Sequence, residues 1–319
     1  MEIDKFGLYN ITIKIENIDN TDNICVFGIK NCILYYGKIN KINNIISFNY
    51  SHNIYINNKN IILDTKLLSK KINLYVIGKK IYDYKILNYN KIDNTQKLII
   101  LCDSHSYMHG EICKYFSWAQ YFPYILNKNI EIINLSIAGQ GGAFYYNDIN
   151  TRINISKLIN KQTIVLSIFG AIDKKRIFRL NESSLNEYEF IINDFFKYLN
   201  NYTNNIYLCK MYPSKNRDKI ITRSNVLEDI YKNINDITYF NIDTEVLNDK
   251  NYINGFNINC AHTGILGGII VGNILRNKLK SFGLNIFNDN NLNNDVNILE
   301  LKKITKLFVD NFQLIRDKY

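Results

Sequence analysis

Hydrophobic and polar positions follow two different rhythms along the chain. In the first part, short segments such as LYNITIKI and NICVFGI alternate between apolar and polar residues and are separated by Asn, Asp and Gly. Close spacing and β-branched or aromatic residues are typical of an antiparallel sandwich. The segment NLYVIGKKIYDYKIL predicts a hairpin that turns at Gly78, Lys79 and Lys80. We therefore predict an all-β sandwich of jelly-roll type over residues 1–95, with the polar stretch Asn88–Gln96 as its boundary.

After this boundary, continuous apolar segments alternate with amphipathic ones, which predicts a parallel sheet covered by helices on both faces. The predicted strands are Lys97–Cys102, Ile130–Leu135, Thr163–Phe169, Asn205–Lys210 and Ile237–Ile242. The predicted helices are Tyr107–Asn127, Ala143–Asn160, Leu185–Asn201, Ser224–Asn233, one that follows His262 and one from about Asn297 to Asp317. Residues 96–319 are thus expected to form a three-layer α/β/α domain.

Composition limits the class of protein without naming its function. The chain has 319 residues, of which 46% are hydrophobic, and this composition is typical of a folded, globular protein. Its length exceeds the usual single domain of about 100–200 residues, which favours two domains. The formal net charge is +10, but the Lys residues are scattered through the chain rather than clustered. We therefore predict no nucleic-acid binding.

Neither an export signal nor a membrane span is expected. The start, MEIDKFGLYN, has acidic residues where a signal peptide needs basic and then apolar ones. The apolar stretch Gly264–Leu275 is too short to cross a bilayer. The six Cys residues show no CxxC pairs, which favours buried, reduced thiols. These features predict a cytoplasmic protein, and they say nothing about its oligomeric state.

Candidate chemistry lies where the predicted strands end, since ligands of such sheets bind beyond the carboxyl ends of the strands. Asp103, Ser104 and His105 follow directly after the strand KLIILC. A Ser at this junction has its hydroxyl near the N–H groups of a helix start, where an oxyanion would be stabilised. The alternative is that Ser104 or Ser106 is only a helix N-cap, a position that Ser favours.

The other strand ends supply further candidates. The second strand runs into a loop that contains Gly139 and Gln140, where missing side chains let a ligand approach the backbone. As a dinucleotide-binding fingerprint this loop is poor. The third strand leads to Gly170 and Asp173, and far along the chain His262 precedes an apolar helix.

A metal site near the first strand end is weighed and set aside. His105 and His109 are four residues apart, so they would share one helix face close to Asp103. No third ligand stands at a fixed spacing from them, and we predict no metal.

The order of these segments resembles the GDSL or SGNH hydrolase superfamily. DSHS at 103–106 looks like its first block, and NLSIAGQGG at 134–142 resembles its second. FGAID at 169–173 falls where the third block, Gly-x-Asn-Asp, is expected, and NCAH at 259–262 falls where Asp-x-x-His is expected. The resemblance covers about residues 97–280 and implies a flavodoxin-like fold.

Carried over by position, the resemblance makes Ser104 the nucleophile and His262 the base that accepts its proton. It makes the N–H groups of Ser104 and Gly139 the oxyanion donors. Ile172 stands where the family has a donating Asn, and Gln140 is a candidate replacement.

The orienting acid departs from the family pattern. Asn259 stands where the family has Asp, and an amide stabilises imidazolium less well than a carboxylate. Asp173 is a second candidate orienter, although a charge at a helix N-terminus is the alternative that we favour for it. Asp103, His105 and Gly170 are expected to line the site.

The resemblance implies an esterase that needs no cofactor and removes a small acyl group, such as acetyl, from a carbohydrate. Its expected partner is therefore an acylated carbohydrate or another small ester. Two alternatives stay open. A carbohydrate O-acyltransferase would use the same acyl-enzyme, and a catalytically inactive binding protein is suggested by Ile172 and Asn259.

Overall fold

The computed structural model describes residues 5–18, 23–28, 32–39, 43–52, 55–57, 60–62, 74–106, 116–173, 183–216, 219–221, 225–255, 262–288, 300, 303, 304 and 307. Most of the helix predicted from about Asn297 to Asp317 lies outside these residues, and so does the first part of the helix predicted over Tyr107–Asn127.

The N-terminal part is built of antiparallel strands, as predicted. These are β1 Gly7–Ile15, β2 Asn23–Phe27, β3 Ile33–Lys38, β4 Ile45–His52, β5 Tyr55–Asn57, β6 Asn60–Ile62, β7 Tyr75–Ile77, β8 Ile81–Tyr82 and β9 Tyr84–Lys91. One sheet has the strand order β4-β1-β9 and another the order β3-β2-β7-β8, while β5 and β6 pair as a hairpin.

Alternation along β1 explains why this sheet covers a core. Ile11, Ile13 and Ile15 are fully buried, because every second side chain of a strand points to the same face. The predicted hairpin turn at residues 78–80 is confirmed by the pairing of Ile77 with Ile81. The predicted boundary stretch begins inside β9, because its first residues pair with β1.

The second part contains a five-stranded parallel sheet with the order β11-β10-β12-β13-β16. Its strands are β10 Gln96–Cys102, β11 Ile130–Asn134, β12 Ile164–Phe169, β13 Ile206–Lys210 and β16 Thr238–Phe240. Each lies within two residues of its predicted bounds, because continuous apolar runs mark strands that are buried on both faces. A short hairpin that the sequence pattern did not predict, β14 Ser214–Asn216 with β15 Lys219–Ile221, follows β13.

Helices cover this sheet. They are α1 Trp118–Ile125, α2 Gly142–Asn147, α3 Ile149–Leu158, α4 Ser183–Asn200, α5 Glu228–Lys232, α6 Asp243–Asn248, α7 Lys250–Gly255 and α8 Ile265–Ser281. A single helix was predicted over Ala143–Asn160, but the structure has two. The break falls at Asp148, whose side chain accepts a 2.7 Å hydrogen bond from the Thr151 N–H and caps the second helix.

The two faces of the parallel sheet belong to different cores. On one face, Leu98 and Ile100 pack with residues of α1 and α8, and this core continues into the N-terminal sheets. On the other face, Ile99 and Leu101 pack with residues of α2, α3 and α4. The chain is therefore an α/β layer structure preceded by a β-rich part, and its buried strands hold the loops at their carboxyl ends.

Two further expectations concern the burial of the Cys residues and the absence of a membrane span. Cys25, Cys32, Cys102 and Cys209 are buried, whereas Cys113 and Cys260 lie outside the described residues. In the part of the chain that is described, a search for helices long and apolar enough to traverse a bilayer finds none.

Candidate active site

Ser104 and His262 meet at the carboxyl edge of the parallel sheet. Ser104 lies in the turn that follows β10, and His262 stands shortly before α8. The Nε2 atom of His262 is 2.7 Å from Oγ of Ser104, although 158 positions separate the two residues. Both side chains are half-buried. This distance suits a nucleophile paired with a base.

The loop that carries His262 is anchored to the segment before α1. Thr263 donates a 2.7 Å hydrogen bond from Oγ1 to the carbonyl of Phe116, and the Phe116 N–H donates back to the Thr263 carbonyl at 2.9 Å. Gly268 permits this close packing, because a Cβ atom there would lie 2.4 Å from the Phe116 carbonyl oxygen. The residue that follows His262 is thus fixed against the segment before α1.

A second imidazole lies beside the first. The rings of His105 and His262 have centroids 4.8 Å apart and are tilted by 39°. Nδ1 of His105 is 2.7 Å from Oδ1 of Asp103, and the same oxygen accepts the backbone N–H of His105 at 2.9 Å. The ring of Tyr212 meets His105 edge-on, with centroids 6.3 Å apart.

Asp103 is ionised although it is buried. Burial alone would raise the pKa of its carboxyl, but the charge of His105, its hydrogen bonds and the charge of His262 hold that pKa below the ordinary value. The site therefore contains a negative charge close to both imidazoles.

Side chains of the neighbouring strand β11 and of helix α2 hold the turn after β10 in place. Asn134, the last residue of β11, donates from Nδ2 to the carbonyl of Ser106 at 2.8 Å. The buried hydroxyl of Tyr145 lies 2.7 Å from the Cys102 carbonyl and 2.9 Å from the Leu135 carbonyl. The sequence pattern did not single out either residue. A polar Asn that ends an apolar strand is a usable signal, whereas an aromatic residue in a helix is not.

The glycine-containing loop runs alongside this turn. The Ile137 N–H donates to the Cys102 carbonyl at 3.0 Å, which continues the pairing of β11 with β10. Gly139 has a φ of +74°, a conformation that favours glycine, and a Cβ atom built there would meet no atom of the described residues within 4 Å. Gln140 is buried, and its N–H donates to the Ile137 carbonyl at 3.1 Å.

Asp173 caps the start of helix α2. Its Oδ2 accepts the Gly142 N–H at 3.0 Å, although Asp173 itself lies in the short helical segment at residues 171–173. Burial raises the pKa of Asp173 to about 6; the charge of Asp103 adds to the rise, and the N–H groups of Gly142 and Ala143 oppose it. A Cβ atom at Gly141 would clash with this carboxylate.

The remaining candidates are placed as follows. Gly170 directly follows β12 and has a φ of +122°, a conformation that favours glycine, and Ile172 is half-buried. Asn259 and His109 lie outside the described residues. Within the described chain, no three His, Cys, Asp or Glu side chains are grouped so that they could hold a metal ion.

A cleft among the described residues lies away from the Ser–His pair. It has a volume of about 580 Å³ and is lined by Asn10, Tyr35 and Lys128 among others. It lies near the start of β11, whereas the Ser–His pair lies beyond the carboxyl ends of the strands.

No family model and no curated protein sequence matches the chain. It is similar in structure to the protein YXIM of Bacillus subtilis, with 13% identity and a TM-score of 0.49 over 90% of this chain and 81% of that one. A carbohydrate esterase family 2 enzyme with a carbohydrate-binding domain, from Corynascus thermopiles (Myceliophthora fergusii), has 10% identity and a TM-score of 0.43 over 89% of this chain and 96% of that one. An acetylxylan esterase of Geobacillus stearothermophilus, solved as a catalytic mutant, has 15% identity and a TM-score of 0.43 over 61% of this chain and 97% of that one.

Proposed function

We propose that the protein is a serine ester hydrolase that works through an acyl-Ser104 intermediate, with His262 as the general base. The observation that carries the proposal is the 2.7 Å distance between Oγ of Ser104 and Nε2 of His262. A hydroxyl is a weak nucleophile unless a neighbouring base accepts its proton, and this pair is the minimum unit for that step.

In the proposed reaction, Oγ of Ser104 attacks the ester carbonyl carbon while its proton moves to Nε2 of His262. The tetrahedral intermediate then collapses, and the alcohol leaves with the proton from His262. Water attacks the acyl group on Ser104, gives a proton to His262, and releases the carboxylic acid. The serine recovers its proton in the same step, so the site returns to its starting state.

The developing oxyanion needs donors, and we propose the backbone N–H groups of Ser104 and Gly139 for this role. The sequence resemblance at residues 134–142 supports the choice of Gly139, because it places this residue in the second block. Ile172 has no donor to add. Losing one donor typically costs on the order of 3 kcal/mol in the transition state, so a slow enzyme is expected.

The proposed substrate is a carbohydrate that carries a small acyl group such as acetyl. Support for this class comes from the sequence resemblance at residues 103–106 and 134–142. Transfer of the acyl group to a sugar hydroxyl is the alternative outcome, since it shares the acyl-enzyme and differs only in the acceptor.

A fluorophosphonate probe tests the nucleophile. We expect the probe to label the wild-type protein and not Ser104→Ala. Ser106→Ala is the matched control, because Ser106 is a buried serine two positions away in the same turn. Labelling of neither the wild type nor the control would support an inactive binding protein instead.

Product analysis then separates hydrolysis from transfer. We expect an acetylated oligosaccharide to yield free acetate at a rate that an added acceptor sugar does not change. Appearance of acetylated acceptor in place of acetate would identify a transferase. A catalytic Ser104 with neither product would show that the acyl donor belongs to another class.

A further inference from the structure

A buried carboxylate lies next to the proposed Ser–His pair, and the mechanism above does not use it. Asp103 and His105 are only 2% and 4% exposed, so their contact is formed away from solvent. A buried carboxylate that served only to close a turn would be an unfavourable choice, since burying a charge costs free energy and a neutral side chain could form the same turn. Its place beside His262 therefore needs its own explanation.

The contact fixes the ring of His105. Oδ1 of Asp103 lies within hydrogen-bond distance of both the backbone nitrogen and Nδ1 of His105, which holds the ring in one orientation. Nε2 of His105 is buried and has no hydrogen-bond partner among the described residues. The ring of His105 contacts the ring of His262 and also the ring of Tyr212. It thereby limits the positions that the His262 ring can adopt.

The negative charge of Asp103 also acts on His262. Among the described residues, the titratable side chains that interact with Asp103 by charge include His105, His262, Cys102, Tyr145, Asp173, Tyr212 and Tyr231. The ionisation of Asp103 is coupled to His262 by opposite charge. A negative neighbour favours the protonated imidazole, which forms when His262 accepts the proton of Ser104.

We infer that Asp103, held in place by His105, is the carboxylate that stabilises His262 in its protonated state, and that the His105 ring positions His262. In this view Asp103 substitutes for the acid that the resemblance expects at residue 259, where the sequence has Asn. Asp103 and His105 are positioning residues, because they act through His262. The inference rests on the proposed function of Ser104 and His262.

Nuclear magnetic resonance of the imidazole rings tests the charge directly. The chain has only four His residues, so each ring signal can be assigned from single substitutions. In Asp103→Asn we expect the titration midpoint of His262 to fall by about one pH unit, because the neighbouring negative charge is gone. Asp194→Asn is the matched control. That carboxylate bonds Tyr146 in the helical layer, and its loss should leave the His262 midpoint unchanged.

The His105→Phe variant should move the midpoint in the opposite direction. Phe keeps an aromatic ring against His262, but it cannot share the charge of Asp103. We expect the titration midpoint of His262 to rise by about half a pH unit. If Asp103→Asn does not fold, this variant alone tests the inference about Asp103. A His262 midpoint that stays constant in the folded variant or variants overturns the inference.

Kinetics separate this inference from the proposed function. With p-nitrophenyl acetate as the probe, Asp103→Asn should move the acid limb of kcat/KM down by about one pH unit and lower the plateau by about tenfold. A purely structural role would lower kcat/KM equally at every pH. If the wild type hydrolyses nothing and the ring titrations still shift as expected, the proposed function fails while the charge coupling of Asp103 to His262 stands.

Discussion

The turn after β10 and the segment after β12 each carry a buried aspartate at the same edge of the parallel sheet. Asp103 and Asp173 are both 2% exposed, and the two strands that precede them are direct neighbours. Their ionisation differs. Although burial opposes the charge of both, the pKa of Asp103 is lowered, whereas burial raises the pKa of Asp173 to about 6.

The partners of the two carboxylates explain this difference. Asp103 faces imidazoles, which can carry a positive charge, whereas Asp173 accepts backbone N–H groups at the start of α2. Each carboxylate is also a negative neighbour, and the charge of Asp103 adds to the rise at Asp173. Burial alone therefore does not decide whether a carboxyl is charged. The kind of partner does, and the segment with imidazole partners is the one that holds the proposed chemistry.

The largest expected effect separates the Ser104–His262 pair from the segment after β12 by activity. His262→Ala should lower kcat/KM for p-nitrophenyl acetate by about a thousandfold or more, because Ser104 in the turn after β10 loses its base. Ile172→Ala, in the segment after β12, should change kcat/KM by less than about tenfold, since its side chain has nothing to donate. Equal losses in both variants would contradict the assignment of the chemistry to the Ser104–His262 pair.

The next effect is a difference in how stability depends on pH. The pKa of Asp173 is about 6 in the folded state against an ordinary 3.8, so the folded protein binds more protons between these values. Stability is therefore favoured below about pH 4 and falls as the pH rises to about 6, by on the order of 3 kcal/mol. Asp173→Asn removes this penalty. We expect the difference in free energy of unfolding between Asp173→Asn and wild type, measured by urea titration, to increase in favour of the variant by about 3 kcal/mol from about pH 4 to about pH 7.

Asp103→Asn should show the opposite sign. Because the folded-state pKa of Asp103 is lowered, its contribution to stability is present above the ordinary value and is lost as the pH falls through the folded value. The variant should be less stable than wild type at about pH 7, and this difference should shrink in acid. Parallel curves for the two variants would mean that their carboxylates share one environment.

Much of this arrangement could be predicted from the sequence. Strands such as β10 and β12 are continuous apolar runs, and polar residues follow them directly, which locates the edge of the sheet where chemistry collects. The pairing of Ser104 with His262 could be expected only from the order of the motifs, because 158 positions separate them. Their catalytic roles stay a prediction.

Other contacts leave no local signal. The break at Asp148 was missed because an Asp within a helical pattern can face solvent or cap a new helix, and its surroundings decide which. The opposite ionisation of Asp103 and Asp173 depends on which partners the fold brings to each of them. Tyr145 looks in sequence like any aromatic residue of a helix core.

Tyr145→Phe gives the smallest effect and tests whether the strand ends need to be tied together. The hydroxyl of Tyr145 has one proton to share between two strand-end carbonyls, and its loss should lower the free energy of unfolding by about 1 kcal/mol. Because one of these carbonyls belongs to Cys102, two residues before the nucleophile, kcat/KM should also fall, by about tenfold. Tyr231→Phe is the matched control, since that buried hydroxyl lies 2.8 Å from the hydroxyl of Tyr188 and ties no strand end. It should lose similar stability in urea titrations with kcat/KM unchanged. A Tyr145→Phe variant that loses stability but keeps wild-type kcat/KM would show that the turn after β10 holds Ser104 in place without help from α2.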